Sequence, residues 1–264
     1  MLLFNQEKLL KQVDDENERI MAANILDKAE QTLRSHEPVF SNFLNPYQRS
    51  LVEPVLDKIH DLKYRSYGAF KKAERKILAL APDYYMWELL TEPLVILEIK
   101  GNFKFENVNH RDFLGAILGT GIKRELIGDL LVADDGCQVI VLAEIKEYLL
   151  LNLERVHKVP VEIEEISAER LSLPTQRVKK IKSTVASLRL DSVASSGFAT
   201  SRTKMAREIE AGKVKLNWQQ ETDPAQKIDL TDVISIRGRG RVEIDEILGE
   251  SKKGRIKLVT KRYL

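Results

Sequence analysis

Apolar residues recur at helical spacing from residue 5 to about residue 34. Leu9, Leu10, Val13, Ile20, Ala23, Ile25 and Leu26 stand among acidic and basic positions, with no Gly or Pro before Pro38. The pattern predicts an amphipathic helical stretch, with the run Asp14 to Glu18 on its solvated face. A second helix is expected after Asn45, because Pro46 suits a first turn and Leu51, Val55, Leu56 and Ile59 fall on one face. Residues 1–73 therefore read as a helical N-terminal unit.

From Glu74 the period changes. RKILALA and LVILEIK are short Leu-rich and β-branched runs, separated by a segment holding Pro82 and Pro93, and both read as strands. In HRDFLGAILGTGI, Phe113, Leu114, Ile117 and Leu118 return to helical spacing, and Gly119 and Gly121 end the run. IGDLLVA and CQVIVLA flank Asp134-Asp135-Gly136, a hairpin signal attributed to the tolerance of Asp-Gly for positive φ. AEIKEYLLLNLERV predicts a second helix and VEIEEI a final strand. The order strand, helix, strand, strand, helix, strand is the ferredoxin-like arrangement shared by many RNA-recognition modules, expected here over residues 74–170. The chain is thus expected to be α+β.

A linker is expected from Ser167 to Ser183, where Pro174 breaks structure and cations cluster in RVKKIKS; TVASL then reads as a strand. Thr200 or Ser201 is a natural N-cap for a helix from Arg202 to Ala211, and Gly212 a natural stop. Met205, Ala206 and Ile209 form its buried stripe, and Lys204 and Arg207 lie opposite. Arg202 shares the apolar side but sits in the first turn, where a long side chain reaches past the helix end. Lys213 and Lys215 then alternate with Val214 and Leu216, the pattern of a strand with one cationic face.

Charge sharpens this picture. From Arg170 onward 21 Lys/Arg face 11 Asp/Glu, against 21 and 29 before it, so a nearly neutral chain conceals a +10 end and a −8 remainder. Such asymmetry is the footprint of a module for a polyanion, nucleic acid or anionic membrane. No apolar run approaches 18 residues, so no membrane insertion is expected, and MLLFNQEKLLK is too short in apolar content for a signal-peptide core. A single Cys, Cys137, rules out an internal disulfide and a cysteine-based metal cluster, and fits a cytoplasmic or stromal setting. The four His have no metal-pair spacing, and no cofactor is expected.

The segment RLDSVASSGFATSRTKMAREIEAGKVKLNW resembles the S-four RNA-binding domain. The resemblance rests on Arg189, Leu190, Asp191, Gly197, Ser201, Arg202, Ala206, Ile209, Gly212, Val214 and Asn217, with Asp232, Val233 and Ile234 in a closing strand. The domain is expected over residues 184–264. Trp218 stands where the family has a turn Gly and offers a ring able to stack on a base. By position the resemblance implies RNA contact through Arg189, Ser201, Arg202, Lys204, Arg207, Lys213 and Lys215. Arg237, Arg239 and Arg241 of RGRGR are added on their charge and Gly spacing, the alternative being a basic hairpin edge. Replacing Arg202 and Lys204 is expected to weaken RNA binding with little change in thermal unfolding.

The wider layout, with HRDFLGAILGTGIKRELIGDLLV and SIRGRGRVEI, is similar to the YlmH family, which includes photosystem II S-four-domain proteins. That resemblance implies ribosomal RNA and tRNA as partners on the large ribosomal subunit, within ribosome quality control, or a role in photosystem assembly for the photosynthetic branch. His110-Arg111-Asp112 resembles the start of a protein-kinase catalytic loop, but the Asn required five residues after the Asp is Ile117. His110 and Asp112 are instead expected to cap the helix, with Arg111 (and His110) at its start as a candidate RNA contact. Asp191 opens the S-four motif itself and reads as a structural acid rather than a pseudouridine-synthase nucleophile. Neither Leu118-Gly-Thr-Gly121 nor RGRGR fits a nucleotide loop after a strand. The expected function is non-catalytic RNA binding, with an RNA-modifying enzyme or a photosystem-assembly adaptor as rivals.

Overall fold

The computed structural model describes residues 4–13, 15–16, 18–103, 106, 108–174, 178–251 and 254–263. Two compact units divide the chain, Met1–Pro174 and Thr175–Leu264.

The N-terminal stretch contains two helices, α1 (Gln6–Leu10) and α2 (Arg19–Ser35), rather than one. Between them Val13 is fully buried, and its carbonyl accepts from Arg19 Nε at 3.0 Å. Asp14 and Asn17 of the expected solvated face lie outside the described residues. After β1 (Val39–Phe40), α3 (Pro46–Leu56) starts as its sequence predicts, with Asn45 and Gln48 closing a reciprocal capping box and Pro46 in the first turn. The N-terminal part is not helical throughout. β2 (Leu62–Tyr67) and β3 (Ile77–Pro82) form with β1 a three-stranded sheet in the order β1-β3-β2. RKILALA, expected at the head of the middle segment, is the centre of this earlier sheet.

β3 is buried along its whole length because both its faces are covered. Leu78 and Leu80 pack with Leu26, Ala29, Val52 and Leu56 of α2 and α3. Ile77, on the other face, packs with Phe43, Ile96, Ile140 and Ile166.

The middle segment follows the expected order: β4 (Leu94–Gly101), α4 (His110–Gly119), β5 (Ile127–Ala133), β6 (Gly136–Leu142), α5 (Lys146–Asn152) and β8 (Val159–Ile166), with a short β7 (Arg155–Val156) before β8. The antiparallel sheet β5-β6-β4-β8-β7 has the ferredoxin-like strand order, with registers such as Leu97↔Val139 and Ile99↔Ile163. Phe113, Ile117 and Leu149 of the helices pack on Leu97, Ile99, Val139 and Val141. The hairpin lies where Asp134 and Asp135 place it, but neither has positive φ. Gly136 is needed for a different reason: a Cβ there would lie 2.1 Å from the Ile99 carbonyl oxygen on β4. Arg75 ties the two sheets together, donating from Nε to Ile127 O and from Nη2 to Phe43 O, both at 2.9 Å. Its burial, reinforced by Arg124, lowers its pKa to about 10.

The C-terminal unit begins inside the expected linker. β9 (Val178–Val185) uses the basic run VKKIKSTV as a strand, of which TVASL supplies only the end; residues 175–177 are outside the described set. α6 (Leu190–Gly197), α7 (Arg202–Glu210), β10 (Val214–Leu216), β11 (Gln219–Glu221), β12 (Val233–Ile236), β13 (Gly240–Glu250) and β14 (Ile256–Tyr263) follow. All neighbours in the sheet β11-β10-β12-β13-β14-β9 are antiparallel. Leu190, Val193, Met205 and Ile209 of the two helices share one core with Val214, Ile234, Val242 and Leu258. The unit is therefore two layers, helices on one face of a sheet.

Candidate nucleic-acid interface

Asp191, in the first turn of α6, is 4 % exposed, and its carboxylate holds two arginines. Arg189 donates from Nε to Oδ1 at 3.2 Å and from Nη2 to Oδ2 at 3.1 Å. Arg202, at the start of α7, donates from Nε to Oδ2 at 3.0 Å and from Nη2 to Oδ1 at 3.2 Å. Burial alone would raise the Asp191 pKa, but the bonds from Arg189 and Arg202 outweigh it and hold the value below the usual 3.8. The Arg189 pKa is raised, first by its hydrogen bonds to Asp191. Both guanidiniums remain about half exposed, at 40 % and 49 %, and keep their Nη1 edges outside the clamp. One buried carboxylate thus fixes two cations side by side, leaving one net positive charge where α6 and α7 begin.

Ser201 is the N-cap of α7, accepting from Lys204 N at 3.3 Å. Met205 and Ile209 are fully buried, so Lys204 and Arg207 stand exposed on the outer side of the helix. Gly212, at φ +68°, ends the helix, and exposed Lys213 follows. Arg239, in the β12–β13 turn, pairs with Glu208 of α7 and so serves as a strut within the unit. Arg237 is exposed at the same turn. The turn joins two interior strands, so it is not a sheet edge.

Lys215 and Arg241 belong elsewhere. Val214 and Leu216 pack into the core beneath the helices, so alternation sends exposed Lys215 to the opposite face of the sheet. Val242 does the same for Arg241, which lies 4.4 Å over the Tyr263 ring. The cations read from the sequence are therefore divided. Arg189, Arg202, Lys204, Arg207 and Arg239 are on the helical side, and Lys215 and Arg241 are on the open face of the sheet.

That open face holds cations that the sequence reading left in a linker or unassigned. Lys180 and Lys182 of β9 and Lys257 and Lys261 of β14 share it, with Lys180 directly opposite Lys261. Like charges facing across strands are destabilising, and Asp245 offsets this one by pairing with both, at 2.9 Å from Lys180. Lys261 and Lys180 in turn hold the Asp245 carboxyl below its usual pKa. The usable signal was the i, i+2 spacing of Lys180 and Lys182 in RVKKIKS, which is strand spacing rather than linker composition.

At the β10–β11 turn Asn217 and Trp218 have φ of 48° and 70°. A two-residue turn with both residues left-handed ordinarily takes Gly at the second. Asn217 secures it by donating to Asp232 Oδ1 at 2.8 Å and accepting from Val233 N at 2.9 Å. Trp218 is half-buried.

In the Met1–Pro174 unit the cap of α4 is Asn109, not His110. Asn109 Oδ1 accepts from Arg111 N and Asp112 Oδ2 accepts from Asn109 N, each at 2.9 Å. His110 and Arg111 are exposed in the first turn. The ferredoxin-like sheet offers no base-stacking platform on its helix-free face among the described residues. Phe43 and Ile77 cover Ile96 and Ile140 there. Beyond them Glu98 and Glu164 bond Lys100 and Arg170, and Gln138 donates to Arg170 O and accepts from Ser172 N. Burial pushes the Cys137 thiol up to about 12. Among the described residues no cluster of His, Cys, Asp or Glu is placed to hold a metal, and no helix is long and apolar enough to cross a membrane.

Three family models match the chain: "YlmH, N-terminal" over residues 17–85, "Putative RNA-binding domain in YlmH" over 93–170, and the S4 domain over 188–234. The ribosome-associated protein quality control protein P2 of Bacillus subtilis (strain 168) is 32 % identical over 222 residues, covering 84 % of this chain and 86 % of that protein. This chain belongs to the YlmH family. Its β3 strand lies within the YlmH N-terminal match, in keeping with the sheet it joins. A solved structure, the cell division protein ylmH from Streptococcus pneumoniae, is 26 % identical with a TM-score of 0.49, covering 60 % of this chain and 96 % of that one.

Proposed function

We propose that this YlmH-family chain is a non-catalytic RNA-binding protein that acts on ribosomal RNA, ribosome-bound tRNA or both, at the large ribosomal subunit and in ribosome quality control. The observation that carries the reading is the Asp191 clamp. A helix-side surface needs cations that hold their direction before RNA arrives, and Asp191 orients Arg189 and Arg202 beside exposed Lys204 and Arg207. The likeness to the Bacillus subtilis relative, a ribosome-associated protein quality control protein, supports the ribosomal setting. Arg111, with His110 beside it at the start of α4, is a lesser phosphate contact.

Recognition rests on phosphates and shape, with Trp218 contributing stacking at the hairpin tip. Contact with about six to eight phosphates gives a slope of log affinity against log salt of roughly −4 to −7. The test is sedimentation of lysate with and without ribonuclease, joined to filter binding of purified chain to ribosomal RNA across a salt series. Comigration with large subunits that ribonuclease abolishes, together with a steep slope, is the expected result. A slope near zero, or sedimentation apart from subunits, refutes the reading.

A further inference from the structure

The connection between β3 and β4 holds large apolar side chains out of the fold. Tyr84, Met86 and Leu89 are 66 %, 63 % and 65 % exposed within six residues. The connection is nonetheless ordered. Tyr84 Oη is 2.7 Å from His36 Nδ1, and the Arg65 guanidinium lies 4.7 Å over the Trp87 ring. Tyr85 meets Trp87 edge to face, and Trp87–Leu89 forms a 3-10 turn closed by Leu89 N donating to Met86 O at 3.1 Å.

Single exposed apolar residues are ordinary on soluble proteins. A preformed ledge of Tyr and Met beside Trp has instead the composition of an interface centre, where stiff aromatic side chains give up little entropy on contact. Its surroundings select the partner. Asp83 to Glu92 contains three carboxylates and no Lys or Arg. Asp83 also lines, with Asp57 and Asp61, an adjoining groove of about 590 Å³ that includes Lys63, so that with Arg65 on Trp87 two cations stand against the five carboxylates of Asp57, Asp61, Asp83, Glu88 and Glu92. The Met1–Pro174 unit carries 22 Lys/Arg against 29 Asp/Glu. An RNA backbone would meet repulsion here, whereas apolar anchors interspersed with Lys or Arg would find both complements.

We propose that this ledge and its acidic groove form a docking site for a basic, apolar-bearing protein segment, separate from the RNA-binding surface. The probe is a fluorescein-labelled 14-residue Lys/Leu peptide of amphipathic pattern, titrated into the full chain by anisotropy. A Glu/Leu peptide and a 14-nucleotide RNA serve as controls. Tyr84→Ser/Met86→Ser/Leu89→Ser should weaken the Lys/Leu peptide at least about tenfold, and Met86→Glu alone should also weaken it, since each replaces an exposed anchor. Lys204→Gln/Arg207→Gln should lower RNA affinity and leave peptide binding as in the parent, so a failed ledge and a failed RNA surface give different results. Equal peptide affinity in the parent and both ledge variants overturns the proposal. So does loss of RNA affinity in the ledge variants, or a parent dimer that the ledge variants disperse in sedimentation.

Discussion

Arg202→Ala, set beside Lys204→Ala, separates a cation that also holds the fold from one proposed to meet RNA alone. The substitution removes two charge-assisted hydrogen bonds, of 3.0 and 3.2 Å, from a carboxylate that is 4 % exposed, and leaves Arg189 as the remaining clamp partner. Hydrogen bonds to charged groups contribute about 1.5–3 kcal/mol each; solvent at the half-exposed Arg202 and the surviving Arg189 reduce the net loss to about 2 kcal/mol. For a unit of this size that lowers Tm by roughly 8–16 °C. Lys204→Ala, at an exposed position, should stay within about 0.5 kcal/mol of the parent. This revises the sequence expectation, which grouped Arg202 with Lys204 as thermally silent. The two Trp residues fall one in each unit, so Trp87→Phe leaves Trp218 to report unfolding of the C-terminal unit alone. If Arg202→Ala and Lys204→Ala melt together in that background, the clamp does not bear on stability.

On the open face, Lys182→Gln/Lys257→Gln should make the salt slope on ribosomal RNA shallower by about 1.4–1.8 if both lysines meet phosphates; an unchanged slope removes this face from the interface. Gly136→Ala places a methyl against the Ile99 carbonyl and should cost about 2–3 kcal/mol in denaturant unfolding of the Met1–Pro174 unit, whereas a neutral result would mean that β4 and β6 can part without penalty. The depressed pKa of Asp191 confers stability that is complete above the ordinary value of 3.8 and disappears as pH falls through the lower folded value. Asp191→Asn should therefore be less stable than the parent at pH 6, and the gap should close as pH falls below the ordinary value of 3.8 and through the lower folded value; a constant gap refutes the assignment.

The parts of the fold legible in the sequence were those whose signal is local. Asn45-Pro46 predicted the start of α3, and the strand and helix periods from LVILEIK to VEIEEI predicted a ferredoxin-like segment whose strand order the structure has. What was misread depended on partners distant in sequence. RKILALA is a strand as expected, but its sheet is fixed by pairing with Val39–Phe40 and Leu62–Tyr67, and neither run announces itself. Gly136 was correctly placed at the hairpin for the wrong reason, because the close approach of Ile99 comes from another strand and leaves no trace in Asp-Asp-Gly. VKKIKS reads as linker because Pro174 precedes it and cations cluster in it, yet pairing along all of β14 makes it the body of a strand of which Thr184 and Val185 are the end.

Composition located the cationic end of the chain, and the residue types of the candidate interface followed from it, but their division between two faces did not. A helix packed on a sheet points its outer residues away from the sheet, while every second strand residue points the other way. Lys204 and Lys215 are eleven positions apart and carry the same charge, yet burial of Met205 and Val214 in one core obliges them to face in opposite directions. A single rigid RNA stem resting on α7 therefore leaves Lys215, Arg241 and the lysines of β9 and β14 untouched. Losses from Lys204→Gln/Arg207→Gln and from Lys182→Gln/Lys257→Gln should then add in free energy if both faces meet RNA, since the two pairs share no partner.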